Sequence, residues 1–279
     1  MNKKFMGLLF AALLFLPKWI QAAAPDWTGI TQSNTITLFS TGPMQSSLPY
    51  PITMCAWVYL DNDLFNNNQE KIITGITSPT GSDNLWIEYL RDDTRISGDG
   101  IRIVGQATTG GTYFIEYPCT GACLASGTGY THCFIGNFIS STTWNVIYDG
   151  VTLPGAVPVN GGGAGKPLPA NMSTIYVGNL GANSGTTLYG QFQGVILDVQ
   201  IYNRLLSAQE EATYFQSHAH LSPGSGPPVY WYKMDDAGST VTTSTGTTFI
   251  NYGSAGYGSN IKFYGGSTTN NNASFLSYP

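Results

Sequence analysis

Residues 189–215 read YGQFQGVILDVQIYNRLLSAQEEATYF, and two periodicities within them decide the fold. From Val195 to Tyr202 the chain alternates. Val195, Leu197, Val199 and Ile201 fall on one side of an extended backbone, and Asp198, Gln200 and Tyr202 on the other. A period of two predicts a strand with one apolar face, the unit of a layered β-structure. The period then changes. Ser207 is followed three positions later by Glu210, the spacing of a capping box, in which hydroxyl and carboxylate satisfy free N–H groups at a helix start. A short helix is expected near 207–218, because Leu221-Ser222-Pro223-Gly224 stops it.

Gly194, Ile196, Asp198, Val199, Ile201, Tyr202, Asn203, Arg204, Leu206 and Ser207 together resemble the closing signature of laminin G-like domains. Those domains belong to the concanavalin A-like lectin and glucanase superfamily. A second segment, PITMCAWVYL, alternates Ile52, Met54, Ala56 and Val58 against Thr53, Cys55, Trp57 and Tyr59. Its Thr53, Ala56, Trp57 and Val58 resemble an early strand of the same domains, which implies that Trp57 is buried. His132, Phe138 and Val146 to Gly150 keep a third part of the pattern, although Tyr130 and Thr131 replace the usual aromatic-His pair. The resemblance implies an all-β jelly-roll sandwich of two antiparallel sheets with one short helix. It is specific for fold and carries little about activity, since one fold hosts many functions.

The remainder of the chain reads as strands separated by turns. Strands are expected around 35–39, 71–76, 85–90, 101–104, 113–117 and 173–178. Asp149-Gly150 predicts a tight hairpin turn. Val229 to Asp236 resembles the opening strand of many laminin G-like domains, here placed late. Few apolar residues follow it, so 222–279 is expected to add strands to the sandwich at 25–221 rather than form a second core.

Residues 1–24 carry Lys3 and Lys4, the apolar run FMGLLFAALLFL and a small-residue stretch ending at Ala24. That order predicts a secretory signal peptide cleaved near Ala22 to Ala24, with a retained anchor as the alternative. Cleavage removes Lys3, Lys4 and Lys18. Eight of the 11 basic residues then face 16 acidic ones, a net charge of −8. With no basic patch and no second long apolar run, nucleic acid is excluded as a partner, and the mature chain is expected to be secreted or periplasmic without a membrane span.

Four cysteines in an exported chain allow three disulfide connectivities. Cys119 and Cys123 bracket a glycine-containing turn and are the favoured pair. Cys55 and Cys133 lie within strand patterns and are expected as buried free thiols. A zinc site from Cys119, Cys123, His132 and Cys133 does not follow a standard spacing. Calcium is the better metal candidate. Asp61, Asp63 and Asn66 put hard oxygen ligands on one loop, although a solvated turn explains them more simply.

No Glu-x-Asp-x-Glu run and no Gly-x-Ser-x-Gly elbow is present. Glu70, Glu88 and Glu116 are scattered singly and read as solvent-facing strand residues. The expectation is therefore a non-enzymatic recognition domain, binding glycan or another surface protein. A structural component of a cell envelope or virion surface is the alternative, and a divergent glycoside hydrolase ranks below both. Aromatic rings that stack on sugars are the candidates for ligand binding: Trp86, Trp144, Trp231 and Tyr257.

Overall fold

The computed structural model describes residues 23–25, 39–41, 50–60, 69–77, 84–93, 98–107, 111–118, 131–140, 143–154, 157–159, 174–178, 180–181, 188–189, 192, 194–217, 226–234, 240–243, 246–254, 261–263 and 275–277. In chain order the strands are β1 (Ala23–Pro25), β2 (Phe39–Thr41), β3 (Ile52–Leu60), β4 (Gln69–Thr77), β5 (Asn84–Asp93), β6 (Gly98–Ala107) and β7 (Gly111–Pro118). Then come β8 (Thr131–Phe138), β9 (Trp144–Tyr148), β10 (Val151–Thr152), β11 (Val157–Val159), β12 (Thr174–Val177), β13 (Leu180–Gly181), β14 (Leu188–Tyr189) and β15 (Gly194–Tyr202). After the helix α1 (Ala208–Ser217) follow β16 (Tyr230–Lys233), β17 (Thr240–Thr243), β18 (Gly246–Phe249), β19 (Ile261–Phe263) and β20 (Phe275–Ser277).

Two antiparallel sheets dominate. One has six strands in the order β10-β9-β8-β3-β15-β16, the other ten in the order β11-β7-β6-β5-β4-β12-β2-β19-β18-β17. Their facing side chains make one core, to which Ile52, Met54, Phe134 and Ile201 come from the first sheet and Ile87, Ile103 and Val177 from the second. The alternation of β3 is borne out: Ile52, Met54, Ala56 and Val58 face this core, while Cys55 and Trp57 face away from it. Four late strands, β16 to β19, join the same layers, β16 antiparallel to β15 and β19 antiparallel to β2, while β20 pairs with β1 in a separate two-stranded sheet.

The alternation read for β15 holds only in its second half. Ile196 pairs with Val58 and Asp198 with Trp57, so Leu197 is the extra residue of a bulge. The bulge reverses the phase. Ile196 enters the core beside Val199 and Ile201, whereas Leu197 joins Tyr202 on the opposite face.

That opposite face carries α1. Trp57 lies parallel to Phe215 with ring centroids 6.0 Å apart, and its indole N–H donates to the Tyr214 carbonyl at 3.3 Å. At the hairpin turn Asp149 has φ 46° and Gly150 φ 77°. Gly150 is required twice over, since a Cβ there would lie 2.8 Å from the Phe215 ring.

The capping box forms as its spacing predicts. The Ser207 N–H donates to Glu210 Oε2 at 2.6 Å, and the Glu210 N–H donates to Ser207 Oγ at 3.3 Å. Arg204 grips the same carboxylate through both terminal nitrogens, at 2.9 and 2.7 Å. Ser207→Ala is expected to cost about 1 kcal/mol, read as a lower urea midpoint with an unchanged slope. An unshifted midpoint would show that the Arg204 fork alone fixes the helix start.

Candidate functional site

Three of the four predicted ligand-binding aromatics lie among the described residues. Tyr257 lies outside the described residues. Trp86, Trp144 and Trp231 are buried, at 7%, 6% and 8% exposure. Each indole N–H is spent inside the protein: Trp86 on Glu88 Oε2, Trp144 on the Ser140 carbonyl and Trp231 on Asp198 Oδ1. The acceptor is two positions along the same strand for Trp86, in the preceding turn for Trp144 and on the paired strand β15 for Trp231. Asp61, Asp63 and Asn66, the calcium candidates, also lie outside the described residues, as do Cys119 and Cys123. Among the described residues no group of three or more His, Cys, Asp or Glu could hold a metal ion.

Cys55 and Cys133 are the expected buried free thiols. They share the cluster under α1, where burial pushes both thiols up. Of the zinc grouping, His132 and Cys133 are described, and they project to opposite sides of β8. Cys133 faces α1, whereas His132 stacks on Tyr148, whose ring belongs to the inter-sheet core. His132 Nδ1 lies 2.9 Å from Asp149 Oδ2 and 2.6 Å from the Tyr148 hydroxyl.

Two carboxylates depart from expectation. Glu88 and Glu116 are 1% and 0% exposed, not solvent-facing. Register explains it: β5, β6 and β7 place Glu88, Arg102 and Glu116 directly opposite one another. Arg102 donates to Glu88 Oε1 at 2.7 Å and, through Nε, to Glu116 Oε1 at 2.8 Å. The row lies on the face of the ten-stranded sheet turned away from the core, beside the small cluster of Ile72, Trp86 and Val104. On β4 of the same sheet, burial pushes the Lys71 ammonium down to about 8.

Asp198 occupies the equivalent position in the other sheet. Its Oδ2 accepts from Gln200 and from the Tyr214 hydroxyl, both at 2.9 Å, and its Oδ1 accepts from Trp231 at 2.7 Å. One buried carboxylate thus ties the helix to the edge strand β16.

The aromatic surface lies at that edge. Tyr252 is 38% exposed, and with Val151 it makes up the exposed large hydrophobics among the described residues. Its ring meets Trp231 edge-on, centroids 5.8 Å apart, an arrangement that favours aromatic pairs. The Lys233 ammonium stands 4.1 Å from the Trp231 centroid and 5.0 Å from that of Tyr252, within cation–π range of both.

Backbone contacts fix the segment that carries Tyr252. Asn251, 2% exposed, accepts on Oδ1 from the N–H groups of Trp231 and Gly253, each at 2.8 Å. The Tyr252 N–H donates to the Trp231 carbonyl, and the Ser254 N–H to that of Pro228. Gly253 passes so close to β16 that a Cβ would lie 2.3 Å from the Val229 oxygen. Tyr252 was not legible in advance, since it sits in a Gly-, Ser- and Asn-rich stretch without periodicity. The Asn-Tyr-Gly triplet was the available signal.

No model of a known protein family matches the sequence, and no curated protein does. Solved structures do match. The chain is similar to a putative carbohydrate binding protein from Bacteroides ovatus at 12% identity and a TM-score of 0.53, over 87% of this chain and 57% of that one. It therefore spans little more than half of that protein. It is also similar to a heptameric SAP-like pentraxin from Limulus polyphemus, at 13% identity and a TM-score of 0.47, covering 70% of this chain and 82% of that one. Domains LG4-5 of the mouse laminin alpha1 chain match at 15% identity and a TM-score of 0.43, over 68% and 44% of the two chains. At these identities the likeness is one of fold, and the fold of this chain is an all-β jelly-roll sandwich of two antiparallel sheets.

Proposed function

We propose that the protein is an exported, non-catalytic recognition domain that binds carbohydrate at the edge of its six-stranded sheet. The observation that carries this reading is the rigidly held, exposed ring of Tyr252 against Trp231. A sugar presents a C–H face that stacks on an aromatic ring, and a ring already fixed in place loses little entropy on binding. Trp231 then acts as the base of the platform rather than as its contact face.

The non-catalytic part rests on Glu88 and Glu116. A glycosidase needs one carboxyl group to protonate the leaving oxygen and another to attack or to activate water, both within reach of the substrate. These two are buried and share one guanidinium. Export rests on the N-terminal sequence pattern. Among the described residues no helix is long and apolar enough to cross a membrane.

A glycan array tests the reading. The intact protein is expected to retain at least one glycan, and Tyr252→Ala to weaken that binding about tenfold or more, the loss typical of an aromatic anchor. Tyr252→Phe keeps the ring and is expected to keep most of the affinity. Wild-type binding that survives Tyr252→Ala would move the site elsewhere.

A further inference from the structure

We propose that the glycan bound at this edge is acidic, with its carboxylate or sulfate received by the Lys233 ammonium while a sugar ring stacks on Tyr252. This inference rests on the carbohydrate-binding reading above. It starts from an imbalance in the register. Lys233 stands directly opposite Asp198 across the β15–β16 pair, where an ion pair would ordinarily form. The Asp198 oxygens are already engaged by Trp231, Tyr214 and Gln200. Lys233 lies over the rings of Trp231 and Tyr252 instead. Among the described residues no carboxylate, carbonyl or hydroxyl accepts from its ammonium.

An ammonium has three donors and no acceptor. Two ring faces hold this one by its charge and leave its N–H groups without a geometric partner, which is the arrangement a ligand anion completes. A neutral sugar offers hydroxyl groups that are best held by amide and carboxylate acceptors. This cluster offers a cation, a ring and a phenol. The chain as a whole carries a net charge of −5, so an anion is not drawn in by the overall field. Its binding would have to come from short-range contact with Lys233, which makes the effect specific to one residue.

The test is retention of the full chain in native gels cast with dextran, dextran sulfate or polygalacturonate, repeated at 50 and 300 mM salt. Dextran sulfate and polygalacturonate separate sulfate from carboxylate, and dextran gives the neutral backbone. Retention by at least one of the acidic polymers, weakened by salt, is expected. Lys233→Gln should reduce it about tenfold, the scale of a lost charge-assisted contact. Lys262→Gln, which removes a lysine from β19 in the other sheet, should leave it unchanged. Thermal unfolding of each variant separates lost binding from lost folding. Retention of dextran as strong as that of the acidic polymers, or retention indifferent to Lys233→Gln, overturns the acidic assignment and leaves the carbohydrate reading standing. If none of these polymers is retained and a glycan array is also blank, both readings fall.

Discussion

Replacing Arg102 with Met is expected to destabilise the protein by about 3–5 kcal/mol, the cost of breaking a buried ion pair from one side. Arg102 is 4% exposed and is the cation between Glu88 and Glu116. Without it, two buried carboxylates lose the guanidinium they share. Most folded domains hold only about 5–15 kcal/mol in reserve, so the variant is expected to unfold at far lower urea. The charge, rather than lost packing, is the cause, and a second variant separates the two. Replacing Glu88 and Glu116 with Leu in the Arg102→Met background removes both buried charges. That triple variant should regain most of the lost stability, because well-packed apolar groups often substitute for a buried ion triad at no net cost. An Arg102→Met protein within about 1 kcal/mol of wild type would place the row in contact with water, where ion pairs contribute little.

What the sequence disclosed and what it withheld divides by range. The capping box at Ser207 and Glu210, the Asp149-Gly150 turn and the alternation of β3 are set by residues within a few positions of one another, so local pattern suffices. The Glu88–Arg102–Glu116 row depends on two hairpins being in a particular register. Its members are 14 positions apart at each step, and nothing local marks them as partners. The bulge at Leu197 escaped for a related reason: Val195, Ile196 and Leu197 are apolar in succession, so the pattern does not show where the phase changes, and only the partner strand does. The tryptophans show a further limit. Trp86, Trp144 and Trp231 have the chemistry of sugar contacts, but burial is decided by tertiary neighbours: Trp144 enters the core between the sheets, while Trp86 packs with Ile72 and Val104 of its own sheet. Tyr252 acquires its exposure and its rigidity from Asn251 and Gly253 clamping onto β16, a contact spanning about twenty positions.

Asp198→Ala is the second large effect, and it joins stability to recognition. The carboxylate is 5% exposed and accepts three hydrogen bonds from buried groups. Its removal strands the indole N–H of Trp231 and the amide of Gln200. The Tyr214 hydroxyl is stranded too, although burial beside Asp198 already pushes it up and keeps it protonated. Buried donors left unsatisfied cost about 1–3 kcal/mol each. Partial relaxation makes the sum less than additive, so a total near 3–5 kcal/mol is expected. Asp198→Asn should fall between this and wild type, because one amide oxygen can still accept while the amide nitrogen faces a donor. The position also predicts where the damage spreads. Tyr214 belongs to α1 and Trp231 to the edge strand, so near-ultraviolet circular dichroism should lose intensity from Trp231 and from Trp57, which packs on the helix. With the Trp231 base loosened, the Tyr252 ring is no longer held in one orientation. Ligand affinity should then drop at temperatures where Asp198→Asn is still fully folded. Retained affinity in a folded Asp198→Asn protein would mean that Asn251 and Gly253 alone position Tyr252, and that the buried carboxylate serves the helix only.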